Sequence, residues 1–396
     1  MIKFGRRHNL IYAMMFVIFN FLRKIDFIIM KNYIDFQGSL LLTSVMFIAD
    51  FISGLIIYIY NLKYLREKKT SKFMGIELIT APSNIIAPDS NIKMILLLFM
   101  ASYVDFTEYV LSSYYIPKSY TDVSKSLEWR LKSIIICASA FFSYFFLKFE
   151  IFKHQIITII ITLISLISVI ITEIIVYTKE GEYESKYILK VLFLMLVDHI
   201  FNSSLDVIEK YLLEYDYMNP YQMLMLEGIF GIILSLLFSI LHDPFNEFRD
   251  ISNESTSKFN WLIVCIIFYF LLSGGRNVYR VATNKLYSPT HKALLDYILV
   301  PILIIYYYIG DDDFTIKKEE EDKSIFYYFF INLIISFIVV ICGLIYNELI
   351  IIFFCGLEYD THYEVSKRAK NIESHPFEVS INESEMSSFS MEENNE

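Results

Sequence analysis

The sequence predicts an all-α polytopic membrane protein of about ten transmembrane helices, arranged as two inverted five-helix repeats. Three observations carry that expectation: the composition, apolar stretches of spanning length, and polar residues recurring in the same order in the two halves. Of 396 residues, 55% are hydrophobic and only 20% charged, against about 45–50% and 25% in soluble domains. Mean hydropathy is +0.47. With 12 Gly and 8 Pro, the turn residues that a soluble enzyme of this length needs are scarce. Cys137, Cys265, Cys342 and Cys355 lie in or at the end of apolar runs, without a CxxC or Cys/His cluster. That excludes a disulfide-stapled module and suggests no metal, redox centre or other cofactor.

A helix crossing a hydrocarbon core of ~30 Å needs roughly 20 mainly apolar residues. Stretches of that kind fall at about 9–30, 39–62, 93–114, 130–148, 153–177, 187–212, 218–241, 259–283, 291–309 and 326–354. The fifth and tenth are nearly free of charge, whereas the first, third, sixth and eighth carry ionisable residues. The amino terminus has Lys3, Arg6 and Arg7 before an apolar run, as a signal peptide does. No small-residue cleavage site follows, so the run is expected to remain as the first helix.

The connections set an orientation. Residues 62–92 form the most basic connection, whereas those after spans seven and nine, DPFNEFRDISNESTSK and GDDDFTIKKEEEDK, are acid-rich. Lys and Arg stay on the cytosolic side, which puts both termini there. The net charge of −10 therefore reflects segregated loops and an acidic tail, and no basic surface points to nucleic acid. The resulting organisation is a cytosolic amino terminus at 1–8, a first repeat at 9–177, a second at 178–355, and a largely disordered cytosolic tail at 356–396.

Five spans per half give two related halves opposite orientations, a common transporter design with its site between the repeats. Asn20 precedes Arg23, Lys24 and Asp26 in span one, as Asn202 precedes Asp206, Glu209 and Lys210 in span six. Phe36-Gln37 parallels Tyr221-Gln222. Leu127-Glu128-Trp129 parallels Leu295-Asp296-Tyr297, each after a loop proline, Pro117 or Pro289.

Glu209-Lys210-Tyr211, Asn219-Pro220 and Glu227-Gly228-Ile229-Phe230-Gly231 resemble a passage of the drug/metabolite transporter superfamily, in the F branch of solute carrier family 35. Ser288-Pro289-Thr290 with Leu295-Asp296, and Tyr346-Asn347-Glu348, extend the resemblance, as do Leu147-Lys148 and His154-Gln155 in the first half. It covers about residues 9–355. The resemblance implies an alternating-access carrier whose central cavity is lined by helices one to four and six to nine.

An intramembrane charge costs several kcal/mol, with estimates from about 2.5 upward, and is tolerated mainly beside a partner or a wet cavity. In span six Asp198, Asn202, Asp206 and Glu209 share one helical face. Span eight repeats the spacing with Ser273, Arg276 or Asn277, Arg280 and Asn284, and span three with Ser102, Asp105, Glu108 and Ser112. These stripes read as cavity-lining, with Asp105 and Glu108 expected to meet Arg276 and Arg280 in one access state, or permanently. Asn20, Glu227 and Asp296 join them; Asp50, Glu227 and Asp296 read as solitary acids, and Glu227 or Asp198 could take up a coupling proton. Gly274-Gly275 reads as a helix contact.

The expected function is secondary transport of a small polar or charged organic solute across an endomembrane, such as that of the Golgi, lysosome or vacuole. The partners are the solute, the bilayer, and a coupling proton or counter-substrate, with a homodimer open. Nucleotide-sugar exchange is the alternative within carriers, and a non-transporting receptor or scaffold the alternative outside them. No nucleophile–base pair or paired surface acids suggest an enzyme. Asn253-Glu254-Ser255, in a lumenal connection, is expected to carry glycan, and the sequon at Asn382 to stay bare. A glycosidase-sensitive mass shift lost in Asn253→Gln checks this orientation; a shift lost only in Asn382→Gln reverses it.

Overall fold

The structure is a computed structural model that describes residues 7–34, 36, 39–66, 72–73, 76–77, 92–112, 125–179, 185–242, 245–310, 323–350 and 361. The basic connection at 67–71 and 78–91, Pro117, the acidic segment 311–322, Cys355 and the tail with Asn382 lie outside the described residues. The first six residues do too.

The described chain is helical apart from a two-residue ladder, β1 (Lys72–Phe73) against β2 (Ile76–Glu77). The first half provides α1 (Arg7–Ile34), α2 (Ser39–Arg66), α3 (Ile92–Val110), α4 (Lys125–Leu131), α5 (Ser133–Leu147) and α6 (Lys153–Lys179). The second provides α7 (Ser185–Glu214), α8 (Pro220–Ser239), α9 (Asn246–Glu254), α10 (Thr256–Leu286), α11 (Pro289–Tyr297), α12 (Val300–Gly310) and α13 (Lys323–Tyr346). Among the described residues seven stretches are long and apolar enough to cross a membrane: α2, the α4–α5 pair, α6, α7, α8, α10 and α13. The chain is thus a multi-pass membrane protein by length and composition. The expected first and third spans, α1 and α3, carry charged residues along their length, and the ninth is split into α11 and α12.

Local chemistry explains where these helices start and stop. Asn219 caps α8, its side chain accepting from the Tyr221 amide at 2.9 Å, with Pro220 opening the helix. Ser288 caps α11 in the same way, accepting from the His291 amide at 3.3 Å ahead of Pro289. A proline at the first helical position lacks only an amide that would have no partner there. Pro301, by contrast, cannot donate to the Tyr297 carbonyl, and the chain breaks between α11 and α12.

Among the described residues, three helices, α5, α7 and α13, are followed by left-handed residues that are not glycine: Lys148 (φ 54°), Tyr217 (φ 50°) and Glu348 (φ 56°). Glycine would relieve the steric cost at each. The last span, expected to run to 354, ends at Tyr346. There Asn347 turns its amide back to the Gly343 carbonyl at 2.9 Å and accepts from Thr290 at 3.2 Å. The connection after α8 also differs from expectation, because it contains α9, whose Phe248 and Ile251 pack toward Leu262 and Phe47. Only two apolar residues one turn apart announced it.

The interior forms where α2 lies along α8, α1 along α10, α3 and α5 along α7, and α6 along α13. The α2–α8 crossing is the tightest described. A Cβ added at Gly54 would meet the Met225 nitrogen at 2.7 Å and the Tyr221 carbonyl at 3.0 Å. One at Gly228 would meet the Phe51 nitrogen at 2.5 Å and the Phe47 carbonyl at 2.9 Å. The added Cβ would in each case meet the equivalent nitrogen, carbonyl oxygen and Cα of the opposite helix, so the crossing is reciprocal about a local two-fold. Since lipid tails are as apolar as leucine, such backbone approach supplies much of the association between spans.

Gly54→Ala and Gly228→Ala are each expected to lower stability by about 1–3 kcal/mol or more through overpacking against rigid backbone. Gly274→Ala serves as the control, because its nearest neighbour is the Ser53 side chain at 3.4 Å. Thermal unfolding of the purified protein in detergent checks the contrast.

Candidate functional site

The polar stripes of α3, α7 and α10 face one another and α1, α2, α8 and α11. Asp105, Asp198, Asn202, Asp206, Glu209, Glu227, Arg276, Asn277, Arg280 and Asp296 are all buried, as are Asn20 and Asp50; Glu108 is half-buried. The lipid-facing surfaces of the same helices carry Ile200, Phe268 and Leu271. A charge on those outer faces would lie in hydrocarbon with no compensation.

One group centres on Lys292 at the start of α11. Its ammonium holds both Asp206 oxygens, at 2.7 and 2.8 Å, and lies 3.3 Å from Asp296 one turn further on. The Asn20 amide donates to the other Asp296 oxygen at 2.8 Å. This cluster ties α1, α7 and α11 through short, charge-assisted bonds.

A second group centres on Arg280. Its guanidinium meets Glu209 at 2.9 Å, Glu227 at 3.4 Å and Asp105 at 4.0 Å. The other Glu209 oxygen accepts from Asn284 at 3.0 Å, and the same amide donates to the Asp206 carbonyl at 2.9 Å. Ser102 donates to the Glu227 carbonyl at 3.2 Å, which fixes α3 beside α8.

A third group links α10 to α1, α2 and α3. Arg276 donates to the Tyr109 hydroxyl at 3.0 Å and to Asn277 at 2.7 Å, while the Asn277 amide donates to Asp50 at 2.6 Å. Arg23 reaches the same hydroxyl at 2.7 Å. Asn202 donates to Glu108 at 2.8 Å, and His199 lies 3.4 Å from Asp198. At the ends of α7 and α10, Lys210 donates to the Asn284 and Lys285 carbonyls at 2.9 and 3.1 Å and pairs with Glu214 at 2.7 Å. A cation there compensates the negative end of α10.

The grouping differs from the sequence expectation in three respects. Arg280 reaches Asp105, but its nearer partners are Glu209 and Glu227. Arg276 bonds to a phenol and an amide, and Glu108 takes the amide of Asn202 instead of a guanidinium. Asp50, Glu227 and Asp296, which read as solitary, each find a partner from a distant part of the chain. Sequence reasoning also passed over Lys292, Tyr109 and the partnership of Arg23. Lys292 had a usable signal, a lysine one turn before Asp296; Tyr109 had none, since this chain has 30 tyrosines.

Among the described residues no group of three or more His, Cys, Asp or Glu is placed to hold a metal ion. The arrangement can hold or exchange charge: carboxylates, guanidinium groups and an ammonium are kept out of lipid within reach of one another. No family model and no curated protein matches the chain.

Removing one partner of a buried pair leaves the other uncompensated, at about 3–5 kcal/mol. Lys292→Met is therefore expected to destabilise the protein by that order, and Lys292→Met combined with Asp206→Asn to recover much of the loss. Detergent unfolding of the single and double variants checks this. Equal losses in both would mean that the pair is not the source.

Proposed function

We propose that the protein is a secondary carrier that moves a small polar or charged organic solute across an endomembrane by alternating access. In this reading ten spans form two inverted five-helix repeats, as in the drug/metabolite transporter superfamily that the sequence resembles, with both termini cytosolic. The observation that carries the proposal is the buried ionic network itself. A scaffold gains nothing from retaining so many charges against their insertion cost, whereas a carrier needs polar groups facing a path between the halves.

The packing supports the two-repeat reading. With α1, α2, α3, α4–α5 and α6 taken as counterparts of α7, α8, α10, α11–α12 and α13, many contacts have a partner under that exchange. The α1–α10 contact corresponds to α3–α7, α2–α10 to α3–α8, α5–α7 to α1–α11, and α2–α3 to α8–α10. The α2–α8, α5–α11 and α6–α13 contacts map onto themselves. The reciprocal Gly54 and Gly228 contacts fit the same exchange. Two halves packed in this way can rock about their shared crossing, and the ion pairs that span them offer a two-state element.

The mixture of acid and base argues against a nucleotide-sugar exchanger, whose diphosphate calls for concentrated Lys and Arg. Reconstitution of the full chain in vesicles, followed by uptake from a metabolite panel, tests the carrier reading. Saturable uptake of at least one solute is expected, falling tenfold or more, about 1.4 kcal/mol, in Asn202→Ala. Folded protein that moves none of the panel would favour the receptor or scaffold.

A further inference from the structure

The two ionic clusters are built differently. Around Lys292 the bonds are short and most oxygens are taken. Around Arg280, among the described residues, only the Glu209 contact, at 2.9 Å, is a close ion pair; the guanidinium stretches to Glu227 at 3.4 Å and Asp105 at 4.0 Å. Asp50 lies within electrostatic range of Arg280, and Asp105 and Glu227 lie within range of Asp50 and of each other. Arg276 is spent on Tyr109 and on Asn277, which holds one Asp50 oxygen.

Two further observations single out this place. The other Asp50 oxygen, Glu227 Oε1 and the Ser273 hydroxyl are among the buried atoms with no hydrogen-bond partner, as are the Nε donors of Arg276 and Arg280. Asp50, Glu227 and Ser273 are each at most 1% exposed. Secondly, the four helices that carry these groups converge: α8 touches α2, α3 and α10, and α2 touches α3 and α10. Gly274 packs against Ala49 and Ser53 on either side of Asp50. Asp50, Asp105, Glu209 and Glu227 face Arg280 and Arg276, so acids exceed bases by two. Adding the half-buried Arg23 and Glu108 at its edge leaves that excess unchanged. An unmatched buried carboxylate is costly, and the cost falls when a positive charge arrives.

We propose that Asp50, Asp105 and Glu227 form a binding site for a small organic cation bearing an ammonium or amidinium group. Arg280 is the resident counter-charge: it keeps its close ion pair with Glu209 and cedes Glu227 and Asp105 to the incoming cation. The Ser273 hydroxyl, on the same face of α10, supplies a neutral acceptor. The inference deepens the carrier proposal and rests on it for the cation's role as cargo; binding itself does not depend on transport.

The test is the melting temperature of the purified full chain in detergent. It is titrated with tetramethylammonium, methylammonium and guanidinium chlorides, with sodium chloride at matched ionic strength and uncharged neopentyl alcohol as controls. At least one organic cation is expected to raise the melting temperature saturably, as a ligand of the folded state does, and neither control to do so. Glu227→Gln is expected to melt higher than the parent without cation, because one excess charge is gone, and to lose the cation-dependent rise. Asp50→Asn, whose side-chain oxygen can still accept from Asn277, is the second variant and should weaken cation binding tenfold or more. Absence of a rise with every organic cation overturns the site. So does a Glu227→Gln protein that melts lower yet keeps the full rise. Cation binding without vesicle uptake upholds the site and sinks the carrier reading. Uptake of an anionic solute without cation binding does the reverse.

Discussion

Ionised groups cannot be left alone in a greasy interior, and the arrangement of this molecule follows from that constraint. Asp206 and Glu209 lie one turn apart on α7, yet they turn to different cations, Lys292 on α11 and Arg280 on α10. Asn284 bridges the two by bonding to Glu209 and to the Asp206 carbonyl. Helices far apart in the chain are thereby held in one rotational setting about their axes. A rotation that exposed Arg280 to lipid would sacrifice contacts to α3, α7 and α8 together.

The apolar packing works with this network at a finer scale. Gly54 and Gly228 let α2 and α8 meet backbone to backbone, which brings Asp50 and Glu227 toward the same level. The scarcity of glycine has a consequence elsewhere. Three left-handed positions after helices are occupied by Lys148, Tyr217 and Glu348, and nearby hydrogen bonds hold those ends. Tyr215 donates to the Leu147 carbonyl at 2.8 Å, and Gln155 donates to the Tyr346 carbonyl at 3.2 Å. The Asn347–Thr290 contact and the Lys210 cap close further helix ends. These links join α5, α6, α7, α10, α11 and α13 where their termini meet.

The division of labour between the two charge clusters follows from distance and stoichiometry. Short, nearly saturated contacts around Lys292 suit a fastening between α1, α7 and α11. Long, acid-rich contacts around Arg280 suit a place where charge is exchanged, because little is lost when a long contact is replaced by a closer one.

Composition and hydropathy by themselves determined that this is a helical chain crossing the membrane several times, because roughly 20 apolar residues in succession leave few other options. Helical periodicity also determined which residues share a face: Asp198 to Glu209 on α7, Ser273 to Asn284 on α10. It could not say which acid meets which base, since a stripe defines a direction and not a neighbour. Only the tertiary structure decided that Arg280 is shared among Glu209, Glu227 and Asp105, that Arg276 turns to Tyr109, and that Asp50, Glu227 and Asp296 are not solitary. The split of the ninth span at Pro301 and the short α9 also became visible only there. Periodicity is a local property of the chain, whereas the matching of charges depends on where distant helices lie.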